Sequence, residues 1–377
     1  MPVLFFYPWL KTKQPLSLGV IDLVQYERGK SPHALDGMLL ADIDAVFANY
    51  GEPDFANPSE TAPPVSSATL LSFPGDDPTS ALSDDEIQIR LRLGRLIAFC
   101  SLANRLFGGI HSYANADVYE VIAQRYDPAR PGSMVVTTRR RDGRTQQLLG
   151  SRSSHPRFPR PMHVFGHAAL AVDVALFRAI AGITEPALAA RLEDAVELFL
   201  LANSDSPNVP ERAEVVMLRA AFETLLESGH KASELVKGFA NHFHAALPDP
   251  PVWAAGVYDE AAWRARWPTA TRPLDAWVQD FCAARNTAAH GMAAMPAPLW
   301  PRGYHLLFAT WLLPLVIKGI LAKDGHYTLS RDDTLLRAGL EAFLAADLLH
   351  VEPKETEPAW SKVERNLLFD AWMRDIT

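Results

Sequence analysis

Cysteine is nearly missing from this chain: only Cys100 and Cys282 occur in 377 residues. Two cysteines so far apart exclude a disulfide framework and supply no CxxC pair for a structural metal, so a reducing cytoplasm is the expected compartment. An excess of positive charge is also missing. Lys and Arg number 36 against 44 Asp and Glu, a net charge of −8, which excludes a surface that coats nucleic acid everywhere but leaves room for a local basic site. No apolar run is long enough to signal export or a membrane span. The opening MPVLFFYPWLKTK has an apolar stretch of about ten residues, no basic leader, and a break at Pro8, which does not fit a signal peptide. The stretch from Tyr304 to Ile317 contains His305 and Pro314, ends at Lys318, and falls short of the roughly 18 residues a span needs, so it reads as a buried helix. The chain also lacks GxxxxGK[ST], GxGxxG, GxSxG and HExxH, which removes several large enzyme classes.

What is present is the composition of a folded protein, 48% hydrophobic and 21% charged, long enough for two or three domains at about 150 residues each. The first 160 residues mix periods. Apolar or alternating runs at Leu16–Tyr26, Ser67–Phe73 and Asp117–Arg125 read as strands. Ser83 with Glu86 makes a capping-box pattern ahead of a long helix that Gly108 and Gly109 stop. Met134–Thr138 and Thr145–Leu149 flank Asp142-Gly143, a hairpin signal whose turn presents Arg139, Arg140, Arg141 and Arg144, as a solvated tip or as an RNA-binding cluster. Segment 150–162, rich in Ser, Pro and Arg, reads as a linker. Beyond it, Ala- and Leu-rich segments of helical period predict helices near 165–181, 185–202, 211–228, 231–247, 273–290, 302–322 and 332–347. A last amphipathic stretch runs from Ala359 to Met373.

Among candidate chemical groups, His242 and His244 form an HxH pair near His230. On a helix, residues two apart point about 200° away from each other, so structural roles fit better than a metal site. Cys282 and His290 lack the orienting group and oxyanion loop of a cysteine hydrolase. Trp253, Trp263, Trp267 and Trp277 could stack on bases, although packing is the commoner fate of such rings. The segment DAWVQDFCAARNTAAHG gathers Arg285, Asn286 and His290 near a helix end stopped by Gly291. Asn286 and His290, four apart, share a face. Arg285 lies about 140° from His290 and converges with it only if its side chain swings or the last turn loosens. A cation, an imidazole and a polar neighbour suit metal-free phosphodiester cleavage, and they equally suit a helix end whose dipole favours positive charge.

RNTAAHG resembles the Arg-polar-x(3 to 5)-His motif of the HEPN superfamily, and residues 165–350 resemble its ApeA-like domains of prokaryotic defence proteins. Upstream, PERAEVVMLRAAFETLLESGHKASELVKGFANHF is similar to the family's helix followed by a Lys-initiated helix. Downstream, the Tyr304–Leu321 helix, a Gly-containing break and a final helix follow its order. The mixed periods of the first 160 residues and the helical periods beyond them give an α+β chain, with a mixed α/β domain over 1–160 and a tail helix over 351–377, and the resemblance implies that the all-α bundle over 163–350 is HEPN-like. It implies a metal-independent endoribonuclease without cofactor, working as a homodimer with a composite site, as a toxin or antiviral effector under a trigger or antitoxin. In that reading His290 moves the proton of the ribose 2′-hydroxyl or leaving oxygen, Arg285 stabilises the phosphorane, and Asn286 orients the phosphate or imidazole. Glu223 holds Arg285 or His290, or forms a helix salt bridge instead. The family also includes non-catalytic interaction modules.

Overall fold

A computed structural model describes residues 1–12, 14–30, 40–52, 63–104, 116–130, 133–139, 145–151, 157–160, 170–204, 206–248, 260–290 and 298–345. The chain is mixed α/β. Its described residues form two compact units, one from Met1–Ser101 and Asn115–Val174, the other from Leu102–Ala114 and Ala175–Thr377.

In chain order the first unit contains β1 (Val3–Tyr7), β2 (Leu16–Ser17), β3 (Asp22–Glu27), α1 (Leu40–Phe47), β4 (Tyr50–Gly51), β5 (Ser67–Ser72) and α2 (Asp84–Ala103). It continues with β6 (Ile122–Arg125), β7 (Ser133–Arg139), β8 (Thr145–Ser151) and β9 (Phe158–Pro159). Among the described residues, seven strands form one antiparallel sheet in the order β2-β3-β5-β1-β6-β7-β8, with Phe5 opposite Leu71 on one side and Ala123 on the other. The opening apolar run is therefore the central strand of this sheet. All five residues of β1 are buried because helices cover both faces. Phe6 and Tyr26 pack on Phe47 of α1, whereas the Tyr7 hydroxyl, on the opposite face, donates to the Gly94 carbonyl of α2 at 2.6 Å. The absence of a side chain at Gly94 also lets α2 lie close to Val121: a Cβ there would be 2.7 Å from Val121 Cγ2. The capping box forms, with Glu86 N–H donating to Ser83 Oγ and Ser83 N–H donating to Glu86 Oε2. The predicted hairpin also forms as β7 and β8.

The segment read as a linker is partly built into the fold. Gly150 and Ser151 end β8, and β9 pairs in parallel with β4 through Phe158 N–H to Asn49 O. A two-residue strand needs only backbone groups, so composition gave no sign of it. The chain passes to the second unit near residue 174, and the helix expected from 165 begins at Val174.

Elements of the second unit are helical throughout the described residues: α3 (Val174–Ala181), α4 (Pro186–Ala202), α5 (Glu211–Leu225), α6 (Ala232–Gly238), α7 (Glu260–Arg266), α8 (Pro273–His290), α9 (Arg302–Lys323) and α10 (Arg331–Ala345). Pro186 and Pro273 stand at first helical positions, where no N–H is missed. α5 packs against α4, α8 and α9, and Phe222 of α5 meets Phe239, Trp277 and Phe281 in the core. α9 extends past the Tyr304–Ile317 run at both ends, so against the sequence expectation it is long and apolar enough to cross a membrane, but most of that apolar stretch is buried inside the fold, as expected of a core helix. Lys318 of α9 is buried and donates to Asp333 Oδ1 at 2.7 Å. Asp333 also caps α10 through Ser330, so one carboxylate satisfies a buried ammonium and a helix N-terminus. α7 interrupts the long connection expected between residues 253 and 273. The stretch Ala359–Met373 and the 351–377 tail lie outside the described residues.

Candidate active site

α8 carries the proposed motif. Its buried stripe of Leu274, Trp277, Val278 and Phe281 seats it in the core, and it remains regular to His290, so the last turn does not loosen. Burial falls along its length, from Cys282, through half-buried Arg285 and Asn286, to exposed His290. Arg285 Nη1 donates to Asn286 Oδ1 at 3.1 Å, which ties the arginine to its polar neighbour. Arg285 Nε is buried and has no hydrogen-bond partner among the described residues. The arrangement places an imidazole at the surface and a partly sheltered guanidinium about one turn before it on the same helix.

Glu223 lies on α5 and pairs with Arg219, one turn earlier on the same helix, at 3.0 Å. The salt-bridge alternative is thus the contact formed. Arg219 is almost wholly buried and was not singled out by sequence, although Arg-x-x-x-Glu spacing on an apolar helix is the available signal. Arg219, Glu223 and Arg285 all act on the Cys282 thiol, which brings Glu223 into the electrostatic neighbourhood of the motif through α5–α8 packing. Burial pushes this thiol up, against the opposing pull of Arg219, so Cys282 is suited to packing rather than attack.

The other candidates separate. His242 and His244 occupy a π-helical turn, Phe239–His244, between α6 and the chain beyond. His244 Nδ1 lies 3.1 Å from Arg337 Nη2, while burial and the cations Lys323 and Arg191 lower the pKa of His242. The pair therefore does not converge. Trp263 and Trp277 are buried in the core, and Trp267 is half-buried with its indole N–H donating to Asp280. Trp253 lies outside the described residues. So do Arg140, Arg141 and Arg144; Arg139 ends β7 and pairs with Thr145. The chain matches no protein-family model, no curated protein and no solved structure.

Proposed function

We propose that the second unit is a HEPN-like, metal-independent endoribonuclease centred on Arg285, Asn286 and His290. The observation that carries this reading is the gradient along α8: a core-anchored helix delivers a half-buried guanidinium, already bonded to Asn286, and then an exposed imidazole. The rigid helix limits motion of the arginine, and exposure leaves the histidine accessible to substrate. A neutral imidazole accepts the 2′-hydroxyl proton as that oxygen attacks phosphorus. The imidazolium so formed returns that proton to the departing 5′-oxygen, and the RNA is left with a 2′,3′-cyclic phosphate. Arg285 offers planar donors to the phosphorane as negative charge builds on its oxygens.

On one regular helix Arg285 and His290 point about 140° apart. A composite site in a homodimer supplies the convergence that a single α8 does not, by facing His290 of one copy with Arg285 of another. Such an enzyme acts on RNA in the cytoplasm as a toxin or antiviral effector, and it needs restraint by a trigger or antitoxin, a role open to the first unit. Glu223 supports the site from α5 through its pairing with Arg219. Induced expression in a bacterial host tests the reading: wild type is expected to arrest growth and fragment cellular RNA, and His290→Ala to do neither at equal abundance. Equal growth arrest by both proteins would instead make the helix end part of a binding module.

A further inference from the structure

Charge around the motif is unevenly paired. Arg219 and Glu223 of α5 approach to 3.0 Å, with side chains 1% and 22% exposed. Arg285 of α8 bonds only to Asn286 Oδ1, and its buried Nε has no acceptor among the described residues. Phe222 ties the two helices together at this level, with ring centres 6.3 Å from Trp277 and 6.2 Å from Phe281. Glu223 follows Phe222 directly, and Cys282 follows Phe281. Arg285 comes three residues after Cys282, on the same side of α8. Arg219, Glu223 and Arg285 all act electrostatically on the Cys282 thiol. One carboxylate and two guanidinium groups therefore share this neighbourhood.

Which guanidinium takes the carboxylate decides what is left for a phosphate. Carboxylate and phosphodiester fit the same planar fork of arginine donors. A partly buried pair is also screened less by salt than a surface pair, so Glu223 on Arg285 would compete with substrate. Arg219 is too deeply buried to meet RNA itself. Its pairing with Glu223 removes that competitor and leaves Arg285 held only by a neutral amide.

We propose that Arg219 is a positioning residue: by holding Glu223 on α5 it keeps this carboxylate off Arg285, whose guanidinium stays open to the RNA backbone. The proposal rests on Arg285 as a phosphate ligand, as in the ribonuclease reading, but not on cleavage.

The test is anisotropy titration of the full-length protein over a range of salt, with a fluorescein-labelled 2′-O-methyl oligouridylate of about 20 nucleotides, long enough for a single-strand site. Its blocked 2′-oxygen cannot attack phosphorus, so cleavage plays no part. Arg285→Gln is expected to flatten the slope of log affinity against log salt by about 0.7, the value for one single-strand phosphate left without its cation, and to weaken binding about fivefold at roughly 0.1 M salt. Arg219→Gln is expected to do the same, and to add nothing in the Arg285→Gln background. Arg219→Gln/Glu223→Gln is expected to regain the parent slope, because no carboxylate is then left to take Arg285. A purely structural role predicts no such recovery. The double variant removes both partners of the pair together, so it also serves where Arg219→Gln alone does not fold. Arg178→Gln removes a charge at an exposed position on α3 and is expected to keep the parent slope. The proposal is overturned by a parent slope in Arg219→Gln or Arg285→Gln, by a slope still lowered in the folded double variant, or by a parent protein that does not bind the probe. The expected slopes, together with no cleavage of unmodified RNA by the wild type, would overturn the ribonuclease reading and leave the role of Arg219 standing.

Discussion

Acid should destabilise the second unit through His244. This imidazole is buried, with its side chain 6% exposed, between Arg337 and Asp275. Arginine has no acceptor, so Arg337 donates to Nδ1 and that nitrogen must keep its lone pair. Protonation would set two cations against each other away from water. Burial first, then Arg337 and Arg272, lower the pKa of His244 to about 3, against an ordinary value near 6.5. The folded state therefore excludes a proton that the unfolded chain binds below about pH 6.5. The resulting stability is complete above about pH 6.5 and is lost as pH falls from there towards 3. At about 1.4 kcal/mol per pH unit, going from about pH 6.5 to 5 costs about 2 kcal/mol. For a unit of about 200 residues that is a fall in Tm of roughly 4–8 °C. Thermal unfolding at about pH 7, 6 and 5 checks this against His244→Gln, whose amide oxygen can still accept from Arg337 but does not titrate. The variant is expected to be less stable at neutral pH and to show a flatter pH dependence. Identical falls of Tm across that range in both proteins would refute the reasoning.

Two other substitutions probe the separate units. Asp333→Ala leaves the Lys318 ammonium buried without its carboxylate and removes the α10 cap, so urea denaturation should show a loss of about 3–5 kcal/mol; Lys318→Met added to it should recover a large part. Gly94→Ala drives a methyl group into Val121 and should cost about 1–3 kcal/mol, with Val121→Ala in the same chain restoring most of it; equal stability of Gly94→Ala and wild type would contradict the close packing of α2.

Helices were the legible part of this fold. α4, α5, α8 and α9 begin and end within a few residues of the sequence expectation because their apolar periodicity and flanking prolines survive tertiary packing. The Ser83–Glu86 cap and the β7–β8 hairpin were legible for the same reason, since each is a local signal. β1 was not, because a strand buried on both faces shows a continuous apolar run instead of alternation. β4 and β9 are held by backbone bonds over two residues each and leave no compositional trace. At the candidate site, sequence spacing placed Arg285, Asn286 and His290 on one helix end. The partnership of Glu223 with Arg219, and the fixing of Trp267 by Asp280, depend on side chains whose roles emerge only in the packed helices.

Cleavage of total and transfer RNA by purified protein, with and without EDTA, tests the central claim most directly when wild type is compared with Arg285→Ala and His290→Ala. The expected result is cleavage that persists in EDTA, leaves 2′,3′-cyclic phosphate ends, and disappears in both variants while their folding is unchanged. Cleavage by either variant at the wild-type rate, or cleavage abolished by EDTA, would contradict the account.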